Sequence, residues 1–338
     1  MCLIEYSLSR QLAETLFSEI ASALAWPVLA VLDLGERVAW LYLGSAFLMA
    51  LGVWLFKLTK RVSLGAFLFP SSIWFHPSAL FDLRLMVARS LISSLLLGPL
   101  LVGSAYIAIF SHSYLIRYVG LSFLGPMELT TGLLLVSASA LTSEDFARYW
   151  VHRLAHRIGF LWALHQVHHS AAVLTPFTIY RAHPLDAWLL RATSSFALGV
   201  GAGSSAWFFS VDIAFWQILG VSGLSVIWNT LGSNLRHSHI WLSYPLWLQK
   251  IFISPSQHQI HHSVQKRHHD KNFGSIFAIW DLLFGTLHQT QGRELLKFGI
   301  EPGELNHQER VVSALFDPLL ASCRKVFLPN HDESVRDK

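Results

Sequence analysis

Cysteine is almost absent from this 338-residue chain. Cys2 and Cys323 stand at opposite ends without any CxxC spacing, which excludes a disulfide framework and a thiolate metal site and suits a reducing compartment. Charge is scarce too: only 14% of residues are Asp, Glu, Lys or Arg, against 53% hydrophobic. That is too little polar surface to cover a water-soluble globule of this size, so a membrane protein is the expected class. The net charge of +4 is modest and the basic residues form no stripe interleaved with aromatics, which excludes a nucleic-acid binder. The first residues lack a basic stretch followed by an apolar core and a cleavage site, so no signal peptide is expected. Internal repeats and low-complexity linkers are missing, and a single domain over residues 1–338 is the simplest organisation.

Uncharged runs are what the chain has instead. Val38 to Phe56 is long enough, at 1.5 Å per residue, to cross a hydrocarbon core of about 30 Å. Ser90 to Ile116 is longer and interrupted by Pro99, so it can cross with a kink. Leu129 to Ser143 is short but can continue helically into Glu144 and Asp145, and Ala192 to Ser210 with Ile213 to Ser233 forms a hairpin around Asp212. Ile20 to Leu34, with Pro27, is either interfacial or one more span. The pattern predicts an all-α transmembrane bundle of about four to five spans. Lys57, Lys60, Arg61, Arg84 and Arg89 oppose only Asp82 in one loop, which assigns that loop to the cytoplasm. Counting spans from there brings both histidine-rich segments to the same, cytoplasmic face. From about residue 293 to 338 the chain reads as a polar tail.

Fourteen of the eighteen histidines fall between His152 and His288. Three boxes stand out: His152-Arg-Leu-Ala-His156, His165-Gln-Val-His168-His169 and His258-Gln-Ile-His261-His262. On a helix, positions i, i+3 and i+4 share one face, so each box aims two or three imidazoles at one point. Neutral imidazole suits iron, zinc, copper or nickel, and eight such ligands exceed what one ion accepts, so two ions are expected. His183 and His239 are candidates for the remaining positions, with His237 in reserve, because residues two apart do not share a helix face. Asp145, Asp186 and Asp270 are candidates to orient ligand imidazoles through their second ring nitrogens. His76, His112, His288 and His307 read as ordinary surface or interfacial residues, and His268 and His269 as a solvated turn.

These residues resemble the fatty acid hydroxylase and sterol desaturase superfamily, the membrane di-iron oxygenases with three histidine boxes. The resemblance covers roughly residues 144–288 and includes Asp270-Lys-Asn272-Phe-Gly274 and Trp280-Asp281-Leu-Leu-Phe-Gly285 after the last box. It implies a helical transmembrane base with a cytosolic histidine-rich cap. His152, His156, His165, His168, His169, His258, His261 and His262 would be iron ligands, supplemented by His183 and His239. It further implies two ferrous ions, dioxygen, and two electrons from NAD(P)H through a separate ferredoxin- or cytochrome-type partner. The expected reaction is hydroxylation or desaturation of an unactivated C–H bond in a lipid entering from the bilayer. A fatty acyl chain, a sterol or hopanoid, an ether lipid and a carotenoid all stay open. A zinc hydrolase is the first alternative, and Arg153 stands where a zincin places its glutamate. A metal transporter is the second, and the boxes lie outside the apolar runs where transport ligands would sit.

Overall fold

The computed structural model describes residues 2–56, 62–122, 124–212, 222–300 and 310–327. The chain is helical and, among these residues, has no strand beyond two isolated bridges, Phe252 with Phe277 and Ser263 with Phe298. The helices are α1 (Cys2–Leu29), α2 (Trp40–Phe56), α3 (Leu64–Leu68), α4 (Ser71–Trp74), α5 (Pro77–Ile92), α6 (Ser104–Tyr118), α7 (Leu129–Arg157), α8 (Gly159–His169), α9 (Pro184–Phe208), α10 (Ser222–Thr230), α11 (Pro255–His261), α12 (Ile279–Leu283) and α13 (Val311–Phe327).

The frame is α7 lying along α9, with α6 on α9's other side. Small residues allow this approach. A Cβ on Gly203 would come within 2.3 Å of the Ala108 carbonyl oxygen of α6, and one on Gly201 within 2.5 Å of Ser143 Oγ of α7. Between α7 and α9 the core is Leu133, Val136, Ala140, Ala202 and Ala206. At 29 residues α7 is about 44 Å long, so its first half packs in this core while its second half carries His152 and His156 beyond it. Ile158 takes an extended conformation and stops α7; Gly159 opens α8, which folds back and packs against α13.

Among the described residues no helix is long and apolar enough to cross a membrane, which corrects the expected count of spans. Hydropathy counted the apolar runs correctly but not their helical continuity. Residues 93–97 form a π turn and 98–100 a 3-10 turn around Pro99, so the Ser90–Ile116 run yields a helix of only 15 residues, α6. α2 has 17 residues, about 25 Å. α9 is long enough, but Asp186, Arg191 and its serines and glycines dilute its apolar stretch. Residues 213–221 of the Ile213–Ser233 run, and Lys57 to Arg61 of the basic loop, lie outside the described residues, as does His307. The expected polar tail contains α13, whose Ala314 is fully buried against Phe81, Leu85 and Val167.

Candidate metal centre

Two groups of imidazoles converge where α7, α8 and α11 meet. His152, His156, His165, His169 and His261 form one, and His168, His237, His258 and His262 the other, with the potential ligand atoms of each group within 4.8 Å of one another. The boxes therefore interleave: α8 sends His165 and His169 to the first group and His168 to the second, and α11 divides His261 from His258 and His262 in the same way. The groups adjoin, with the rings of His169 and His262 stacked at 4.6 Å between centroids.

Local sequence explains why α11 forms as a short helix of about two turns. Ser254 accepts from the Gln257 amide at 3.3 Å while Gln257 Oε1 accepts from the Ser254 amide at 2.9 Å, a reciprocal cap with Pro255 at the first helical position. Gln257 and Gln259 are buried, and Gln259 Nε2 donates to the carbonyls of Leu235 at 3.0 Å and Ile240 at 2.9 Å. That clasp fixes the irregular segment 235–240, and thereby His237.

Acceptors outside the groups set the tautomers. His152 Nδ1 donates to the Phe273 carbonyl at 2.9 Å, His168 Nδ1 to that of Arg181 at 3.1 Å and His261 Nδ1 to that of Lys271 at 2.8 Å. His165 Nδ1 donates to Asp186 Oδ2 at 3.0 Å. A carbonyl or carboxylate oxygen only accepts, so each of these rings carries its proton on Nδ1 and turns a bare Nε2 inward. Burial, aided by the neighbouring imidazoles, lowers His152 and His168 to a pKa of about 3 and holds His156, His169, His237, His258, His261 and His262 well below the ordinary value. These rings are neutral at pH 7, the form that binds a metal.

The spacing fits an ion. In the second group, His237 Nε2 lies 3.3 Å from His168 Nε2, 3.1 Å from His262 Nε2 and 3.0 Å from His258 Nε2. Nitrogens bound at about 2.1 Å stand roughly 3.0 to 3.4 Å apart in octahedral or tetrahedral arrangements. In the first group the Nε2 atoms of His156, His165, His169 and His261 are buried without any hydrogen-bond partner. Buried polar atoms are rarely left so, and an ion at their centre would satisfy all four.

Two expected ligands stand outside. His183 caps α9, its Nδ1 accepting from the Leu185 amide at 3.2 Å while its Nε2 donates to the Leu315 carbonyl at 2.9 Å, so both ring nitrogens are occupied. His239 Nε2 donates to the Phe67 carbonyl at 2.7 Å, and His237 takes the inward position instead. Of the three carboxylates, only Asp186 meets a box histidine. Asp145, two turns before His152, instead accepts from the Ile276 and Phe277 amides at 2.7 and 3.0 Å and from Trp280 Nε1 at 3.0 Å. Asp270 is half-buried and pairs with Arg157 at 3.4 Å. His268 is fully buried and not in a solvated turn.

Sequence reasoning missed the scaffold of the closing segment. Asp281 is fully buried and accepts from the Phe273 and Gly274 amides, both at 2.8 Å, holding the loop whose Phe273 carbonyl orients His152. Arg181 is fully buried too, paired with Asp82 at 2.9 Å and donating to Val167 and Ser170 in the last turn of α8 and just beyond it. A cavity of about 330 Å³ reaches His156, His169 and His261 of the first group and His262 of the second, and is also lined by Trp162 and Arg157.

Residues 137–286 match the model of the fatty acid hydroxylase family. Relatives include alkylglycerol monooxygenase of Homo sapiens, 29% identical over 148 residues, covering 44% of this chain and 29% of the relative. A Dictyostelium discoideum protein named as a methylsterol monooxygenase is 30% identical over 193 residues, 56% of this chain and 64% of the relative. Very-long-chain aldehyde decarbonylase GL1-1 of Oryza sativa subsp. indica is 30% identical over 162 residues, 48% and 25%. In each case the match spans less than two thirds of the relative. No solved structure matches. The resemblance to the fatty acid hydroxylase and sterol desaturase superfamily thus holds over the segment that carries the boxes.

Proposed function

We propose that this chain is a di-iron monooxygenase that uses dioxygen and two external electrons to hydroxylate or desaturate a C–H bond of a lipid. The observation carrying this reading is the pair of adjoining imidazole groups, five and four strong, whose inward nitrogens are bare and mutually spaced for metal bonds. Two ferrous ions held by these nine side chains would supply dioxygen activation and hydrogen abstraction. The relatives named for alkylglycerol and methylsterol oxidation support a lipid as substrate.

The chain's own part is positioning. The carbonyls of Phe273, Arg181 and Lys271 and the carboxylate of Asp186 fix ring tautomers, so ligand nitrogens need no reorganisation when the site is used. The cavity touches ligands of both groups, so a C–H bond placed there lies beside the pair. Arg153, where a zinc hydrolase needs a general base, donates from Nη1 to the Tyr149 hydroxyl at 2.9 Å and is not among the residues lining the cavity. Exposed apolar side chains on α6, α7 and α9, among them Phe110, Leu134 and Phe196, support seating in a bilayer; the cytoplasmic side proposed for the histidine cap rests on the Lys and Arg bias of the sequence alone. The electrons would come from NAD(P)H through a separate ferredoxin- or cytochrome-type protein.

The test is metal analysis of the purified chain, followed by oxygen-dependent turnover of a panel containing an alkylglycerol, a methylsterol and a fatty acid. About two irons per chain is expected from the two groups, with turnover lost in His168→Ala and His261→Ala. Turnover retained in both variants, or activity without dioxygen, would overturn the reading.

A further inference from the structure

Outside the two imidazole groups, His268, His288 and Glu294 converge, with one ligand atom from each within 4.8 Å of the others. His268 Nε2 lies 3.3 Å from Glu294 Oε2, and His288 Nε2 lies 3.6 Å from Glu294 Oε1. The rings meet edge to face at 5.3 Å. His268 is 1% exposed; its Nδ1 has no hydrogen-bond partner, and the one polar group its Nε2 meets is the Glu294 carboxylate at 3.3 Å. A buried imidazole facing a second imidazole and a carboxylate, with no better-placed polar group beside its Nε2, is an arrangement that an ion between the three would satisfy.

We infer that His268, His288 and Glu294 form a third metal site, which takes a single divalent zinc-class ion and clamps the closing segment of the chain. Two imidazoles and one carboxylate are a recognised zinc donor set, with water at the fourth position. At bond lengths of about 2.1 Å a tetrahedral ion holds its donors roughly 3.4 Å apart; His268 Nε2 stands close to that distance from Oε2 and His288 Nε2 from Oε1, so the carboxylate edge faces both rings. Glu294 is already oriented: Arg267 Nη2 donates to its Oε2 at 2.7 Å, which leaves Oε1 free on the side of His288. The partial exposure of His288 and Glu294 gives the ion and its water a path from solvent.

The place of the site gives it a purpose. Hydrogen bonds already tie 264–265 to 295–297: the Val264 amide donates to the Lys297 carbonyl at 3.0 Å and the Gln265 side-chain Nε2 to the Leu295 carbonyl at 2.8 Å. An ion on His268, His288 and Glu294 would close the remaining side. It would thereby hold the stretch whose Lys271 and Phe273 carbonyls orient His261 and His152. This inference does not depend on what the two larger groups bind.

The experiment is metal counting on the untagged full-length chain equilibrated with buffered zinc, beside His288→Ala and Glu294→Gln treated identically. Wild type is expected to hold one equivalent more than either variant, while the metal shared by all three reports the larger groups. An anomalous difference map at the zinc edge should place a peak between His268 Nε2, His288 Nε2 and Glu294. Should His288→Ala fail to fold, Glu294→Gln carries the comparison, because that change is nearly isosteric at a partly exposed side chain. Equal metal content in wild type and Glu294→Gln, or no peak at that position, would overturn the assignment.

Discussion

Replacing Asp186 by Asn isolates what orientation contributes to one of the two imidazole groups. Asp186 lies in the first turn of α9, where the helix dipole favours a carboxylate, and its Oδ2 accepts the His165 Nδ1 proton at 3.0 Å. Burial alone would raise its pKa; the imidazoles of His165, His168 and His152 outweigh that and hold it below the usual carboxylate range. In Asp186→Asn the amide has two ways to meet His165. With its oxygen toward the ring the tautomer survives and only charge is lost; with its nitrogen toward the ring the proton moves to Nε2 and blocks the ligand position. Loss of such a supporting partner costs about 10- to 100-fold in metal affinity, or roughly 1.4 to 2.7 kcal/mol. Chelator competition monitored by metal content should turn biphasic, one ion leaving that much more readily and the other close to the wild-type concentration, since Asp186 hydrogen-bonds His165 of the first group and reaches the second only through space, at His168. Identical curves for variant and wild type, or equal weakening of both ions, would refute the reasoning.

His237→Ala should lose metal from the second group, whereas His239→Ala should keep the wild-type metal content, because its ring is committed to the Phe67 carbonyl; metal analysis of the two purified variants checks this. Arg181→Ala leaves the Asp82 carboxylate buried and unpaired, an expected loss of about 3 to 5 kcal/mol in denaturant unfolding, while a double change of Asp82→Leu with Arg181→Met should cost less than the single one. The metal-free chain should lose stability as pH falls from about 6.5 toward 3. His152 and His168 have folded pKa values of about 3, below the unfolded 6.5, so the unfolded chain binds the extra protons. Each then contributes about 1.4 kcal/mol of loss between pH 7.5 and 5.5, which unfolding curves at the two values would read.

The helical spacing of the boxes made the convergence of imidazoles legible, because i, i+3 and i+4 positions need only a helix to share a face. What spacing cannot say is how one box divides between two centres. His168 and His169 point to different groups through their angular offset on α8, which matters only once α7 and α11 stand on either side. The choice between His237 and His239 was also out of reach, since 236–243 is irregular and its register is set by Gln259, 24 and 19 positions from the Leu235 and Ile240 carbonyls it holds. Hydropathy overcounted spans for a related reason. It sums apolarity along a run and does not register that Pro99 and the turns before it divide Ser90–Ile116 into short pieces. Asp281 stayed hidden because a single acid in an apolar stretch carries no periodicity, and its value lies in two amides seven and eight residues earlier.

The same geometry binds folding to metal loading. In the second group His168 keeps its proton on Nδ1 for the Arg181 carbonyl, so its bare Nε2 faces His237 Nε2 at 3.3 Å. His258 and His262 bring two more Nε2 atoms within 3.0 to 3.2 Å of that nitrogen and of each other, while their own buried Nδ1 atoms find no partner. Hydrogen bonds among the four Nε2 atoms alone leave some lone pairs facing each other, and protonating the rings to relieve this is opposed by burial. A cation at their centre would give those opposed lone pairs a shared attractive partner, which outweighs the repulsion between them. Side chains from three separate stretches of chain are held together against their own electrostatics by Gln259, Arg181 and the closing segment, so the scaffold's stability is committed in advance to binding metal, and chelation should lower it.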